Sequence, residues 1–368
     1  MRISKSIKPI LLLVLFSAAV EFYSIQESKF SLPVTKTEIA LTATPNLLPT
    51  STLASSPDEN ISLIFTGDIN LGRCIAKASI QASDYTYPFQ FVADTLRSAD
   101  ITIGSLDGSI SNVSAPQACP SSMNLIGPTE MVQGLQFAGF DVITIATNHV
   151  KDCGEEGFYC ENKSFFDTLN SLTQVGIQPV GGGKNLGEAR QPVIIEKRGI
   201  RFAFLGIDQI NEKVWASETE PGVAPVSQEY IEQIKADIVA AKSIADVVIV
   251  LPHWGTEYSS QPDAIQRQWA QEFINAGATL IIGNHPHIIQ PKESFSNGTV
   301  YYALGNFVFD QGQSFRREGL VVQVTFRGSQ LESTQLLPIN INYYTYQPHW
   351  VEEPETTKIL TRVVDLSH

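Results

Sequence analysis

The stretch Thr279-Leu280-Ile281-Ile282-Gly283-Asn284-His285-Pro286-His287 decides how the chain is read: a short Ile-rich run leads straight into a glycine, an amide and two imidazoles. Such a run has the length and branching of a buried strand, and its reactive side chains gather at its C-terminal end. The pattern recurs along the chain. Residues 61–66 end at Gly67-Asp68, 101–104 near Asp107, 142–146 at Thr147-Asn148-His149, 201–207 at Asp208, 247–251 at Pro252-His253, and 300–304 at Gly305-Asn306. Amphipathic stretches predict helices between them, over 88–98, 128–138, 156–175, 228–244 and 262–276. This alternation predicts an α/β domain with a largely parallel sheet and helices on its faces. Ligands bind at the C-terminal strand ends of such sheets. Asp68, Asp107, Asn148, His149, His253, His285 and His287 are therefore expected to converge.

Four of the six histidines belong to this set. Carboxylate and amide oxygens with imidazole nitrogens suit a divalent metal: Mn, Fe, Zn or Mg. In an extended segment His285 and His287 would point to the same side. A two-metal site needs a bridging carboxylate, several nitrogens and open positions for substrate and water, and this set contains those donors. Arg73, just past Asp68, is a candidate for gripping an anionic group. Glu293 is a candidate for orienting an imidazole, as is Asn306. Trp254 reads as packing. Lys184 and Arg190 read as surface residues with a secondary claim on anions.

Outside the run-and-helix region, residues 1–26 carry a basic start (Arg2, Lys5, Lys8) and an apolar run over 9–20 closed by Glu21. That run is short for a membrane span and reads as a signal peptide or an uncleaved N-terminal anchor. Residues 27–60 form a Thr/Ser/Pro-rich linker that cannot bury enough surface to order itself. The main domain is expected over 61–342, closing with strands at 319–326 and 331–342, and 343–368 are expected to pack on its surface.

The 368-residue chain is 43% hydrophobic and 17% charged, enough apolar surface for a large core. Its 25 Lys and Arg against 38 Asp and Glu leave a net charge of -13. That balance excludes long-range attraction to nucleic acid, and a polyanion would need a local basic patch. There is no Gly-x-Ser-x-Gly elbow for a serine hydrolase. Cys74, Cys119, Cys153 and Cys160 form no CxxC pair. Export permits disulfides among them. Their connectivity is open, and Cys74 also reads as a buried thiol.

Gly67-Asp68-Ile69-Asn70-Leu71-Gly72-Arg73, Ala146-Thr147-Asn148-His149, His253-Trp254-Gly255, Gly283-Asn284-His285-Pro286-His287 and Leu304-Gly305-Asn306-Phe307 together resemble the CapA family of capsule and poly-γ-glutamate synthesis proteins. That family is similar to the calcineurin-like metallophosphatases. The glycine-rich Gly181-Gly182-Gly183 segment fits the same resemblance. It implies a four-layer α-β-β-α sandwich with Asp68, Asn148, His253, His285 and His287 as metal ligands. Asp107 would be the bridging carboxylate and His149 the group that contacts phosphate and protonates a leaving group. The chain departs from the metallophosphatase pattern in three places. Asn70 stands where a histidine ligand is usual, which turns it toward a substrate-binding role. Asp107 lies in a shifted frame. Val150, not an acid, follows His149, so Asp152 becomes the residue that orients His149 or caps the next helix.

Three functions follow as expectations. The first is an exported CapA-like protein of capsule or poly-γ-glutamate synthesis, working beside membrane synthesis subunits at the outer face of the membrane or beyond it. The second is an exported hydrolase using one or two divalent ions on a phosphoester or on a polymer's amide bonds. The third is a non-catalytic module that binds an anionic polymer.

Overall fold

The computed structural model describes residues 59–113, 119, 123–153 and 162–367. The leader at 1–26, nearly all of the linker, Cys160 and His368 lie outside the described residues. Among the described residues no helix is long and apolar enough to cross a membrane.

Two sheets lie face to face. In the first, Asn60–Ile69, Ile101–Leu106, Val142–Thr144 and Gln178–Val180 run parallel. On the other side of Asn60–Ile69 the sheet is antiparallel, through Glu318–Arg327, Gln330–Ile341 and Pro348–Trp350. The short strand Asn306–Val308 pairs in parallel with the end of Asn60–Ile69. In the second sheet Ile200–Asp208, Val247–His253, Leu280–Ile282 and Gly298–Tyr301 are parallel, with Val193–Lys197 and Lys292–Phe295 as antiparallel edges.

The largely parallel sheet expected from sequence is thus replaced by two mixed sheets. The cause is loop length. A parallel neighbour needs a long crossover, whereas two residues suffice for a hairpin. Arg198 and Gly199, which join Val193–Lys197 to Ile200–Asp208, both have positive φ (49° and 80°), as a tight hairpin requires.

Strand alternation assigns the layers. Phe202 and Phe204 face Leu63, Phe65, Ile101 and Ile103 in a core between the sheets. Ala203 and Leu205, on the opposite face of the same strand, pack with Ile234, Ile238, Trp269 and Phe273 of the helices Ile231–Ile244 and Ala264–Ala276. On the far side of the first sheet, Ile64 and Ile143 pack with Ile75, Leu96, Leu135 and Phe165 of its helices. The order is helix, sheet, sheet, helix.

The helices lie near their expected positions with trimmed ends, although residues 156–161 of the one expected over 156–175 lie outside the described residues. Ala264–Ala276 starts at a capping box between Asp263 and Gln266. The expected helix over 88–98 is instead a 3-10 turn, Tyr87–Phe89, followed by the short helix Ala93–Arg97. Arg73–Ala82, directly behind the first strand end, is a helix that the alternation did not predict. After the last long strands, Pro348–Trp350 adds an edge strand and Glu355–Leu360 a helix anchored by buried Ile359.

Candidate functional site

Both sheets direct their strand ends toward one edge. Asp68 stands near the end of Asn60–Ile69, and Asp107 follows Ile101–Leu106. Thr147 Oγ1 donates to the Leu106 carbonyl (3.1 Å), which holds Asn148 and His149 beside Asp107. From the second sheet come His253, the last residue of Val247–His253, and His285 and His287, just past Leu280–Ile282. The two halves meet at Gly67, where a Cβ would lie 2.0 Å from the Gly305 carbonyl oxygen. Only glycine allows this approach, and Asp68 N then donates to Gly305 O at 2.9 Å.

The strand-end side chains come together. His253 Nδ1 is 3.8 Å from Asp68 Oδ1 and its Nε2 is 3.7 Å from Asp107 Oδ1. His287 approaches the same carboxylates at 3.5 and 3.8 Å. His253 Nε2 is also 2.9 Å from Asn148 Oδ1 and 3.2 Å from His285 Nδ1. Asp68 is bonded, accepting from Ser105 Oγ (3.2 Å) and His285 N (3.1 Å). Asp107 is not: both its oxygens are buried without a hydrogen-bond partner, as is His253 Nδ1.

His285 and His287 do not reach the site along an extended segment, as the two-residue spacing suggested. Both have positive φ, 97° and 59°, and so do Arg73 (46°) and Tyr258 (63°) around the same edge. Side-chain-bearing residues in that region are strained, and such strain clusters where function holds it in place.

Proton affinities follow the surroundings. Burial pushes the Asp107 carboxyl up to about 6, and neighbouring Asp68 adds to the rise. Burial opposes the charge of His149, but Asp107 and Asp152 outweigh it and raise that imidazole to about 9. Burial, reinforced by His287 and His149, pulls His285 down to about 3. His253 is also driven well below the usual range, by burial first and its imidazole neighbours next.

The supporting residues divide. Asp152 Oδ2 lies 2.7 Å from His149 Nδ1 and also accepts Leu125 N, so it orients His149 and caps no helix. Asn306 Oδ1 is 2.9 Å from His287 Nδ1. Glu293 does not reach an imidazole. Its carboxylate takes Arg267 and the Tyr302 hydroxyl, because Lys292–Phe295 forms an outer edge strand. Asn70 is fully buried; its Oδ1 accepts Gly72 N (2.7 Å) and closes a local turn, and its Nδ2 is buried without a hydrogen-bond partner. Arg73 is engaged by Asp310 through Nε and Nη2. Arg190 pairs with Asp237. Cys74 is disulfide-bonded to Cys119 and is not a plain thiol. Trp254 packs between Phe273 and Tyr302 and donates to the Tyr302 carbonyl (2.9 Å).

Sequence reading passed over several residues at this edge. Asp208 pairs in register with His253. Its Oδ2 accepts from Trp215 Nε1 (2.8 Å), and burial raises its carboxyl to about 7. It was visible as the end of a run but lacked a neighbouring histidine. A cavity of roughly 370 Å³ opens from His149 and His287, and Tyr258, Arg316 and Arg317 line it. The twin arginine in an acidic chain was the available signal for the last two.

Among the described residues no group of three His, Cys, Asp or Glu side chains is arranged to hold a metal ion as it stands. The donor chemistry nonetheless fits a cation. Two carboxylate oxygens and an imidazole nitrogen are buried at this edge with nothing bonded to them, and native folds rarely leave such groups orphaned.

The fold and edge define a class: an α/β sandwich of two packed sheets with a carboxylate-and-imidazole site where their parallel strands end. The family model described as bacterial capsule synthesis protein PGA_cap matches residues 62–311, and the chain belongs to that family. It is 32% identical over 293 residues to the PGA biosynthesis protein CapA of Bacillus subtilis, covering 79% of this chain and 74% of that one. It is 29% identical over 295 residues to the capsule biosynthesis protein CapA of Bacillus anthracis, covering 79% and 70%. Among solved structures it is similar to a 5'-nucleotidase from Candida albicans, with a TM-score of 0.44 and 16% identity over 78% of this chain and 53% of that one.

Proposed function

We propose that this chain is exported and acts in the assembly of capsule or poly-γ-glutamate. In this reading its strand-end site is a metal-dependent hydrolytic centre for an amide or phosphoester bond of that anionic polymer. Family membership and the names of its relatives support the setting. One observation carries the chemistry: Asp107 is wholly buried, neither oxygen has a hydrogen-bond partner, and imidazoles from the other sheet face it at 3.7 and 3.8 Å. A bare buried carboxylate is costly, and a cation would offset that cost.

Asp68, Asp107, Asn148, His253, His285 and His287 would hold one or two divalent ions. With oxygen and imidazole donors and no thiolate, Mn, Fe, Zn or Mg would suit the site. A bound ion supplies an acidified water and a polarised acyl or phosphoryl oxygen. In the metal-free chain His149, raised to about 9 by Asp107 and Asp152, carries its proton at neutral pH. Its Nδ1 is tied to Asp152, which leaves Nε2 to give a proton to the departing group.

Elemental analysis of the purified chain, beside amide and phosphoester hydrolysis with Mn, Zn, Mg or Fe added, tests this reading. Wild type is expected to hold metal and hydrolyse one bond class, and the Asp68→Ala, His253→Ala double variant to lose both. A wild type that holds no ion and hydrolyses nothing with any of the four overturns the hydrolase. A binding role in polymer synthesis would then remain.

A further inference from the structure

Among the described residues every arginine pairs with a carboxylate except two. The exceptions are neighbours, Arg316 and Arg317, and both line the cavity that opens from His149 and His287. With 38 acidic side chains against 25 basic ones, an arginine here finds a carboxylate easily. Two left over, side by side at the mouth of the site, call for a specific cause.

Arg316 is also held in place. Its guanidinium carbon lies 3.3 Å from the centroid of the Tyr258 ring, and its Nε is buried without a hydrogen-bond partner. Tyr258, strained at φ 63°, donates its N–H to the carbonyl of Pro286 (2.9 Å), the residue between the two site histidines. Its ring is 6.1 Å from that of His287. The carbonyl of Arg316 accepts Asn306 Nδ2 at 2.8 Å, and the same Asn306 side chain meets His287 Nδ1 at 2.9 Å. Both the face and the backbone of Arg316 are therefore fixed relative to one site imidazole. A guanidinium stacked this way keeps its edge free for two parallel hydrogen bonds to a carboxylate or phosphate, and the tyrosine face supports its charge.

We propose that Arg316, seated on Tyr258, receives an anionic group of the substrate, carboxylate or phosphate, and turns the bond to be cut toward the His149 and His287 end of the cavity. The binding stands on the arginine geometry, whereas the orienting of a scissile bond rests on the hydrolase reading above. Arg317 adds charge beside it, its guanidinium 5.5 Å from the Tyr343 ring and one nitrogen on the Ile341 carbonyl. Glu257 lines the same cavity, and Asp310 there is taken by Arg73. The arginine pair, not a general positive field, sets where the anion rests.

The test is calorimetric titration of the full chain, dialysed free of metal, with a short γ-linked glutamate oligomer and separately with inorganic phosphate. Wild type, Arg316→Lys and Arg316→Gln are compared, with thermal unfolding and metal uptake as controls. The probe that binds wild type identifies the anion as carboxylate or phosphate. Arg316→Gln is expected to weaken that binding at least about tenfold, and Arg316→Lys by less, with unfolding and metal uptake unchanged. Equal affinity in wild type and Arg316→Gln overturns the proposal, and so does a wild type that binds neither probe. Failure of the hydrolase reading looks different: anion binding that depends on Arg316 in a chain that takes up no metal and cleaves nothing.

Discussion

The two sheets bring opposite chemistry to their shared edge. The first supplies Asp68, Asp107, Asn148 and His149, and the second supplies His253, His285 and His287. The same side chain behaves differently according to its neighbours. His149, beside Asp107 and Asp152, is raised to about 9, while burial among other imidazoles lowers His285 to about 3. The carboxylates of the acid half favour positive charge on the imidazoles nearest them, His149 and also His287 of the other sheet, whereas His253 and His285 stay neutral nitrogen donors. Buried on their own, carboxylates tend to take up protons, as Asp107 does at about 6. A cation between the halves would favour ionised carboxylate and neutral imidazole together.

Removing the acid half is the strongest way to break this comparison. In Asp107→Asn hydrolysis should fall at least about a thousandfold, some 4 kcal/mol of barrier, with metal content falling alongside. The metal-free variant should nonetheless melt higher than metal-free wild type, because a buried carboxylate without partners has been neutralised. Activity assays, elemental analysis and thermal melts on the same samples check this. A lower melting temperature would mean that attraction to His149 and His287 outweighs the cost of burying the Asp107 carboxylate.

The joint between the halves comes next. A methyl group at Gly67 would meet the Gly305 carbonyl at 2.0 Å, backbone against backbone. Gly67→Ala should cost about 3 kcal/mol in urea unfolding, the upper range for forced overpacking. A loss under about 1 kcal/mol would show that the Leu304-Gly305-Asn306 segment can shift away.

Asp152→Asn sharpens the difference between the two kinds of imidazole. With one of its two acidic neighbours neutralised, His149 should bind its proton less tightly. In the metal-free chain this imidazole should titrate near about 9 in wild type and lower in the variant, as followed by NMR, and kcat of the loaded variant should fall about 10- to 100-fold. Stability carries the same sign. The pair's contribution is complete below the ordinary imidazole value of about 6.5 and fades as pH rises through about 9. A His149 titration that stays in place in the variant would remove Asp152 from this role.

These contrasts also show what the sequence could and could not carry. The parallel strands were legible because each is an apolar run too short for a helix, and the convergence of Asp68 with His287 followed from where those runs end. The antiparallel edges were not, because a two-residue turn such as Arg198-Gly199 leaves no helical stretch to mark it. Spacing misjudged His285 and His287, since their positive φ values bend the segment that an extended chain would keep straight. Arg316 stayed hidden for another reason. A sequence shows which residues are charged but not which of them find a partner, and Arg316 is distinguished by lacking one.

Glu293 sets the outer limit of the site and carries the smallest expected effect. Nearness in sequence to His285 and His287 placed it beside an imidazole, but the edge strand Lys292–Phe295 directs it to Arg267 and the Tyr302 hydroxyl (2.7 Å). In Glu293→Gln an amide oxygen can still accept from Tyr302, and only a half-exposed ion pair is weakened. The cost should stay under about 1 kcal/mol, with kcat, KM and metal content as in wild type. If activity dropped tenfold with the melting temperature unchanged, the imidazole half would extend through Tyr302 to this strand, and the division between the sheets would have to be redrawn.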